Sequence, residues 1–245
     1  MTSPPPVVDI RDVRRVYAQG DVVFEALKGV SVQIAQGEMV ALMGPSGSGK
    51  TTLMQIIGLL DRPSSGAYLL GGQDVTALTE NERAEARNVE IGFVFQAFHL
   101  LPRLTLLENV EVPLTYAGVP PRERRERAMD VLGRVGLESK ASNLPSQISG
   151  GQKQRVAVAR ALAGSPRLLL ADEPTGNLDT RTSEEVMGLF SELHAEGTTV
   201  VLVTHEPDIG AYAERVVRVR DGLIESDTRQ TPRRALLQPG LEAPA

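Results

Sequence analysis

The tightest constraint on this chain is eight residues long. Gly44 to Thr51 reads GPSGSGKT, preceded by the apolar run Met39 to Met43 and followed by a plausible helix, Thr51 to Leu60. Gly44, Gly47 and Gly49, interleaved with Pro45, Ser46 and Ser48, let successive backbone N–H groups turn inward at a helix N-terminus and form an anion nest. In that pattern Lys50 reaches the β- and γ-phosphates of a nucleotide, and the hydroxyl of Thr51, with Thr52 beside it, faces Mg2+. Such a loop needs a buried strand before it and a helix behind it, which ties the chain to an α/β fold.

The remaining sequence alternates accordingly. Short apolar runs recur at Ile91 to Phe95, Leu168 to Ala171 and Thr199 to Val203, the length and character of strands buried on both faces of a parallel sheet. Helical stretches lie between them, most clearly Arg122 to Gly136 and Gln152 to Ala163. Ahead of the loop, Val8, Ile10, Val13 and Val16, then Phe24 to Ile34, flank the turn signal Gly20-Asp21, which predicts antiparallel, half-buried strands. The expected fold is α/β: a P-loop NTPase core with a parallel sheet, an N-terminal antiparallel β subdomain, and a helical subdomain inserted at about 87–163. Within that insert, RERRER at Arg122 to Arg127 reads as a solvated helix face. Asp221-Gly222 marks a final hairpin. Residues 7–225 form one domain in this reading, with 1–6 a flexible start and 226–245, carrying Pro232, Pro239 and Pro244, a tail of little fixed structure.

Charge and composition exclude several alternatives. With 26 Lys+Arg against 31 Asp+Glu the net charge is −5, which argues against a nucleic-acid partner. The absence of cysteine removes disulfides, thiolate metal sites and thiol catalysis. No apolar run approaches the roughly 18 residues of a membrane span, and MTSPPPVV lacks the features of a signal peptide. The expectation is a soluble, cytoplasmic chain whose membrane role, if any, runs through a partner.

Two further motifs carry chemistry. LLLADE, Leu168 to Glu173, is an apolar strand ending in two carboxylates, costly unless a cation or a proton transfer uses them. Asp172 is placed to hold Mg2+, and Glu173 to orient or deprotonate an attacking water. These features alone specify a P-loop nucleotidase and leave kinases, GTPases, helicases and motor ATPases open. The discriminating residues are Ile148 to Gln152, ISGGQ, where Ser149, Gly150 and Gly151 make a second anion site at a helix N-terminus. One nucleotide cannot easily use both sites of one chain.

Here the sequence resembles the ATP-binding subunits of ATP-binding cassette transporters, whose signature is LSGGQ; Ile148 replaces the Leu. The resemblance covers about Val7 to Glu225. It implies a head-to-tail homodimer, or a pair of cassette subunits, binding two ATP with Mg2+ at the interface and driving an integral-membrane permease from the cytoplasmic face of the inner membrane. Position by position, it implies that Gln96 contacts Mg2+ and the attacking water, His205 the γ-phosphate and Tyr17 the adenine. It also implies that Asn177-Leu178-Asp179 crosses the interface. The implied catalytic set is therefore Glu173, His205 and Gln96, the metal set Thr51, Gln96 and Asp172, and the nucleotide set Tyr17, Gly44 to Thr52, Ser149 to Gln152 and Asp179. Three segments, Asp61 to Val75, Ile91 to Gly118 and Leu168 to Thr180, look like the subgroup serving macrolide export, lipoprotein release and cell-division permeases. His99, where that subgroup often has Asn, Lys153, where it often has Gln, and Glu206, where Asp is common, are departures. Permease docking is expected near Gln96 to Leu114, where Phe98, Leu100, Leu101 and Leu104 either receive a short permease helix or pack within the helical subdomain. Export or extraction is the expected work, with an importer ATPase or a regulatory subunit of a non-transporting complex as alternatives. Relatives acting on DNA or the ribosome are disfavoured by the acidic balance and the lack of cysteine and heptads.

Overall fold

The computed structural model describes residues 5–20 and 22–233. In chain order the elements are β1 (Val8–Gln19), β2 (Val22–Ile34), β3 (Met39–Met43), α1 (Lys50–Ile57), β4 (Ser65–Leu70), β5 (Gln73–Asp74), α2 (Glu80–Glu90), β6 (Ile91–Phe95), α3 (Leu106–Tyr116), α4 (Pro121–Arg134), α5 (Gly150–Leu162), β7 (Leu168–Asp172), α6 (Thr180–Ala195), β8 (Thr199–Val203), α7 (Pro207–Gly210), β9 (Arg215–Arg220) and β10 (Leu223–Arg229). The strands form two sheets. One is antiparallel, in the order β2-β1-β4-β5. The other runs β10-β9-β3-β8-β7-β6 and is parallel except for the edge strand β10.

Alternation along the parallel strands divides the interior into two cores, because successive side chains point to opposite faces of a sheet. Val40 and Leu42, with Leu168, Leu170, Val201 and Val203, face α1 and the antiparallel sheet. Met39, Ala41 and Met43, with Leu169, Ala171, Val200 and Leu202, face the helices α3 to α6. Leu53, Ile56 and Ile57 are fully buried on α1, each contributing about 1.5–3 kcal/mol of burial, and so anchor the helix that follows the glycine loop.

The antiparallel and parallel sheets match expectation; two boundaries differ. β6, expected as a strand of the parallel sheet, pairs residue for residue with β7 there, so the helical insert placed at about 87–163 begins after it. The inserted helices proper run from Leu106 to Leu162, with α3, α4 and α5 packed on one another and α5 returning against β6. At the other end, β10 continues to Arg229, beyond the boundary expected at Glu225. A solvated edge strand carries no apolar run to reveal it; ladder bonds to β9 and the Arg215 guanidinium, 2.6 Å from both Asp227 oxygens, hold it instead. Gln230 and Arg233 are also anchored, to Gly210 and Ala213 and to Glu184 respectively. Residues 1–4 and 234–245, the rest of both expected flexible ends, lie outside the described residues. The RERRER face is exposed, with Arg122–Glu126 and Arg127–Glu123 ion pairs one turn apart.

Candidate functional site

The phosphate-loop motif sits between the end of β3 and the start of α1. Gly44 has φ +152°, and a Cβ there would lie 2.1 Å from the Val219 carbonyl oxygen, so no side chain fits. Gly49 caps α1 from the left-handed region and supplies no side-chain acceptor, which leaves the first-turn amides of the helix free for an anion. Lys50 is buried, and its ammonium donates to the carbonyls of Gly44 at 2.6 Å and Pro45 at 2.8 Å. Burial lowers its pKa, against the opposing pull of Glu173 and Asp172. The buried Ser48 hydroxyl has no hydrogen-bond partner, a cost of about 1–3 kcal/mol that a polar ligand would relieve.

Facing this loop is the end of β7. Desolvation raises the Asp172 pKa, the neighbouring Glu173 charge adds to it, and Lys50 opposes it. Glu173 takes φ +44°, uncommon for a residue with a side chain. Five atoms hold it there or fix its carboxylate. Its N–H donates to the Val203 carbonyl at 2.8 Å, and its carbonyl accepts from Gly176 at 3.1 Å. One carboxylate oxygen accepts from the Thr204 hydroxyl at 3.0 Å; the other meets the His205 amide at 3.1 Å and its Nδ1 at 2.7 Å. That contact raises the His205 pKa.

Gly44 to Thr52, Asp172, Glu173 and His205 therefore line one cleft of about 830 Å³, a size suited to a small ligand. The expected Tyr17 does not line it. Its hydroxyl donates to Asp61 at 2.8 Å, and Arg15, paired with both Asp61 oxygens, stacks 4.4 Å over its ring. The aromatic that does line the cleft is Phe24, the register partner of Tyr17 on β2 and more than half exposed. Counting back from the Gly20-Asp21 turn, which places residue 24 opposite residue 17, would have identified it.

Gln96 is also outside the cleft. Its backbone oxygen accepts from Asn177 Nδ2 at 2.9 Å and its side chain reaches Asn177 Oδ1 at 3.4 Å, so it leans on the loop after Glu173. Beyond it Phe98 and His99 both have positive φ. Arg160 of α5, unnoticed in the sequence, donates to both of their carbonyls and fixes this turn. The apolar groove beside it is lined by Val89, Phe93, Phe95, His99 and Tyr116. Of the side chains read either as a docking surface or as internal packing, Leu100 packs against the core.

Ser149 to Gln152 and Asp179 come together elsewhere. Ser149 and Gln152 form a reciprocal capping box at the start of α5, Gly150 lies against Leu178, and Asp179 caps α6 by accepting from the Thr182 amide and hydroxyl. A Cβ on Gly151 would stand 2.2 Å from Thr182 Cγ2, so this glycine is what allows the two helix ends to meet. None of these residues lines the Lys50 cleft.

With this geometry the chain can be placed among known proteins. The family model described as ABC transporter matches residues 27–176. A macrolide export ATP-binding/permease protein of Syntrophobacter fumaroxidans is 54% identical over 225 residues, 91% of this chain but 32% of that protein. An uncharacterized ABC transporter ATP-binding protein, YknY of Bacillus subtilis, is 53% identical over 89% of this chain and 95% of its own length. The chain thus spans a third of the fused exporter and almost all of the single-cassette relative. Among solved structures, the dimeric post-hydrolysis state of the ATP-binding cassette MJ0796 with ADP and Pi superposes with a TM-score of 0.81 at 43% identity, covering 91% of this chain and 98% of that one. The chain belongs to the ABC transporter family and is one of its nucleotide-binding ATPase cassettes.

Proposed function

We propose that two copies of this chain close head to tail around two ATP, hydrolyse them, and by closing and reopening drive a membrane permease. The observation that carries this reading is the separation of two anion-accepting helix ends in one chain. The α1 end opens into a cleft with Lys50, Asp172 and Glu173, whereas Ser149 to Gln152 and Asp179 at the α5 end lie outside that cleft. A second copy supplies the missing half of each site, an arrangement that the dimeric state of the MJ0796 cassette supports.

In each site the α1 amides and Lys50 take the β- and γ-phosphates. Glu173 holds the attacking water, aimed by Thr204 and by His205, whose Nε2 side is left to face the γ-phosphate. Phe24 lines the outer wall of the cleft; Tyr17 reaches the base by giving up Asp61. Among the described residues no group of three His, Cys, Asp or Glu can hold a metal unaided. Thr51 and Asp172 would hold Mg2+ in this cleft, and Gln96 would join them in the closed state. Bound there, Mg2+ neutralises the charge that develops during phosphoryl transfer.

Permease docking uses the groove of Val89, Phe93, Phe95, His99 and Tyr116 next to the Gln96 loop, at the cytoplasmic face of the inner membrane. Among the described residues no helix is long and apolar enough to cross a membrane. The naming of the fused relative as an ATP-binding/permease protein for macrolide export supports an export-type partner.

The test is Glu173→Gln. It is expected to bind ATP, to elute as a stable ATP-dependent dimer on size exclusion, and to hydrolyse almost nothing. Hydrolysis at the parental rate would remove Glu173 from catalysis, and an ATP-loaded variant that stays monomeric would remove the head-to-tail site.

A further inference from the structure

We infer that Gln154 is a positioning residue for Glu173, tying the carboxylate's loop to the helix that starts at Ser149. This rests on the proposed role of Glu173, and it concerns a fully buried residue that does not line the cleft. Gln154 is completely buried on α5, one turn beyond Gly150 and Gly151. Its Nε2 donates to the carbonyl of Pro174 at 2.6 Å, immediately after Glu173.

Two observations set this bond apart from ordinary packing. First, Gln154 Oε1 is buried with no partner, and so is the hydroxyl of Thr175, on the other side of Pro174. A buried amide with half of its hydrogen-bonding capacity unmet is a poor choice for stability alone, since an apolar side chain of similar shape would leave no orphaned group of its own. What the glutamine adds is a directional grip on one carbonyl. Second, the residue it steadies next door is strained. Glu173 sits at φ +44°, and backbone of this kind persists only where its surroundings over-determine it. The Glu173 N–H donating to the Val203 carbonyl, and the Glu173 carbonyl accepting from the Gly176 N–H, hold it from the sheet and from its own loop. Gln154 adds the one side-chain tie from α5.

The consequence is mechanical. Gly150 and Gly151 open the same rigid helix, so a displacement of that N-terminus by a ligand is passed to Pro174, and from there to Glu173, through a single hydrogen bond. In the dimer, the end of α5 that meets one nucleotide would then aim the carboxylate that acts on the other.

Gln154→Met, similar in length and shape but without the donor, tests this, with Gln154→Asn, one methylene too short to reach, beside it. Both are expected to melt close to the parental temperature and to bind ATP with parental affinity in equilibrium titration, while kcat falls about 10- to 100-fold, the scale of a misplaced catalytic group. Hydrogen exchange at the Gly176 amide, which donates to Glu173, is expected to quicken in both. Parental kcat in either variant overturns the inference. So does a parallel loss of affinity, melting temperature and kcat, which would make Gln154 a packing residue only. Glu173→Gln measured in the same assay separates the two claims: if it still hydrolyses ATP, the failure lies with the role given to Glu173 and not with Gln154.

Discussion

Two glycine-rich helix entrances, at α1 and α5, solve opposite problems. At α1 the cap residue Gly49 offers the helix no side-chain acceptor, and the free amides look into a walled cleft with Lys50 and two carboxylates. At α5 Ser149 and Gln152 satisfy each other's backbone groups, and the entrance is braced from outside by Leu178 and Thr182. The first is walled by residues of one chain; the second lies outside that cleft and, in the proposed dimer, completes the cleft of the partner. A glycine-rich turn before a helix is therefore not one device: what distinguishes a site from half a site is whether the local cap competes with the ligand and whether walls surround it.

Lys50→Ala should break the α1 side outright. It deletes the only cation among the loop residues and is expected to abolish ATP binding in calorimetric titration; unchanged affinity would dissolve the distinction. Gly151→Ala probes the α5 side. Its Cβ drives into Thr182, whose hydroxyl is already committed to Asp179, so the methyl cannot turn away without cost. A destabilisation of about 1–3 kcal/mol follows, a few degrees in melting temperature for a domain of this size. ATP affinity of the single chain should be unchanged while hydrolysis is lost. An equal loss of affinity would mean that the two entrances of a single chain share one ligand.

The smallest effect is a pH dependence confined to the α1 side. Glu173 raises the His205 pKa above its ordinary 6.5. The pair's stabilisation is therefore fully present below that ordinary value and is lost as pH rises through the raised one. The imidazole is largely exposed, so screening limits the gain to at most about 1 kcal/mol. His205→Gln should flatten the melting temperature against pH across that window; an unchanged slope would show that the contact carries no charge.

The α1 site is legible in the sequence because its cradle, lysine and hydroxyl are consecutive residues, and a buried strand must precede them. The two cores are legible for the same local reason, alternation along five-residue strands. What escapes are partners fixed by distant chain segments. Tyr17 is expected on a base, but Asp61 and Arg15 claim it, and nothing local at residue 17 announces a carboxylate 44 positions away. Arg160 and Gln154 read as members of a helical pattern, which predicts the face they occupy and not the carbonyls they hold. The polar strand β10 has no apolar signature, only ladder bonds and ion pairs visible once the fold exists. Phe24, by contrast, was within reach, since a two-residue turn dictates its position by counting.

The last hairpin of the domain carries a consequence for how the protein comes into being. The turn glycine Gly222 donates its amide to the Ser48 carbonyl and accepts from Lys28, and Val219 closes over Gly44. The nucleotide cradle is thus finished by residues made roughly 170 positions after it, a separation that makes loop closure slow relative to local folding. During synthesis, with residues added at about 5–20 per second, the cradle remains without the strand β9 and turn that back it for many seconds. A ribosome-bound chain halted before residue 219 would then carry the complete motif and still lack the backbone that packs behind it.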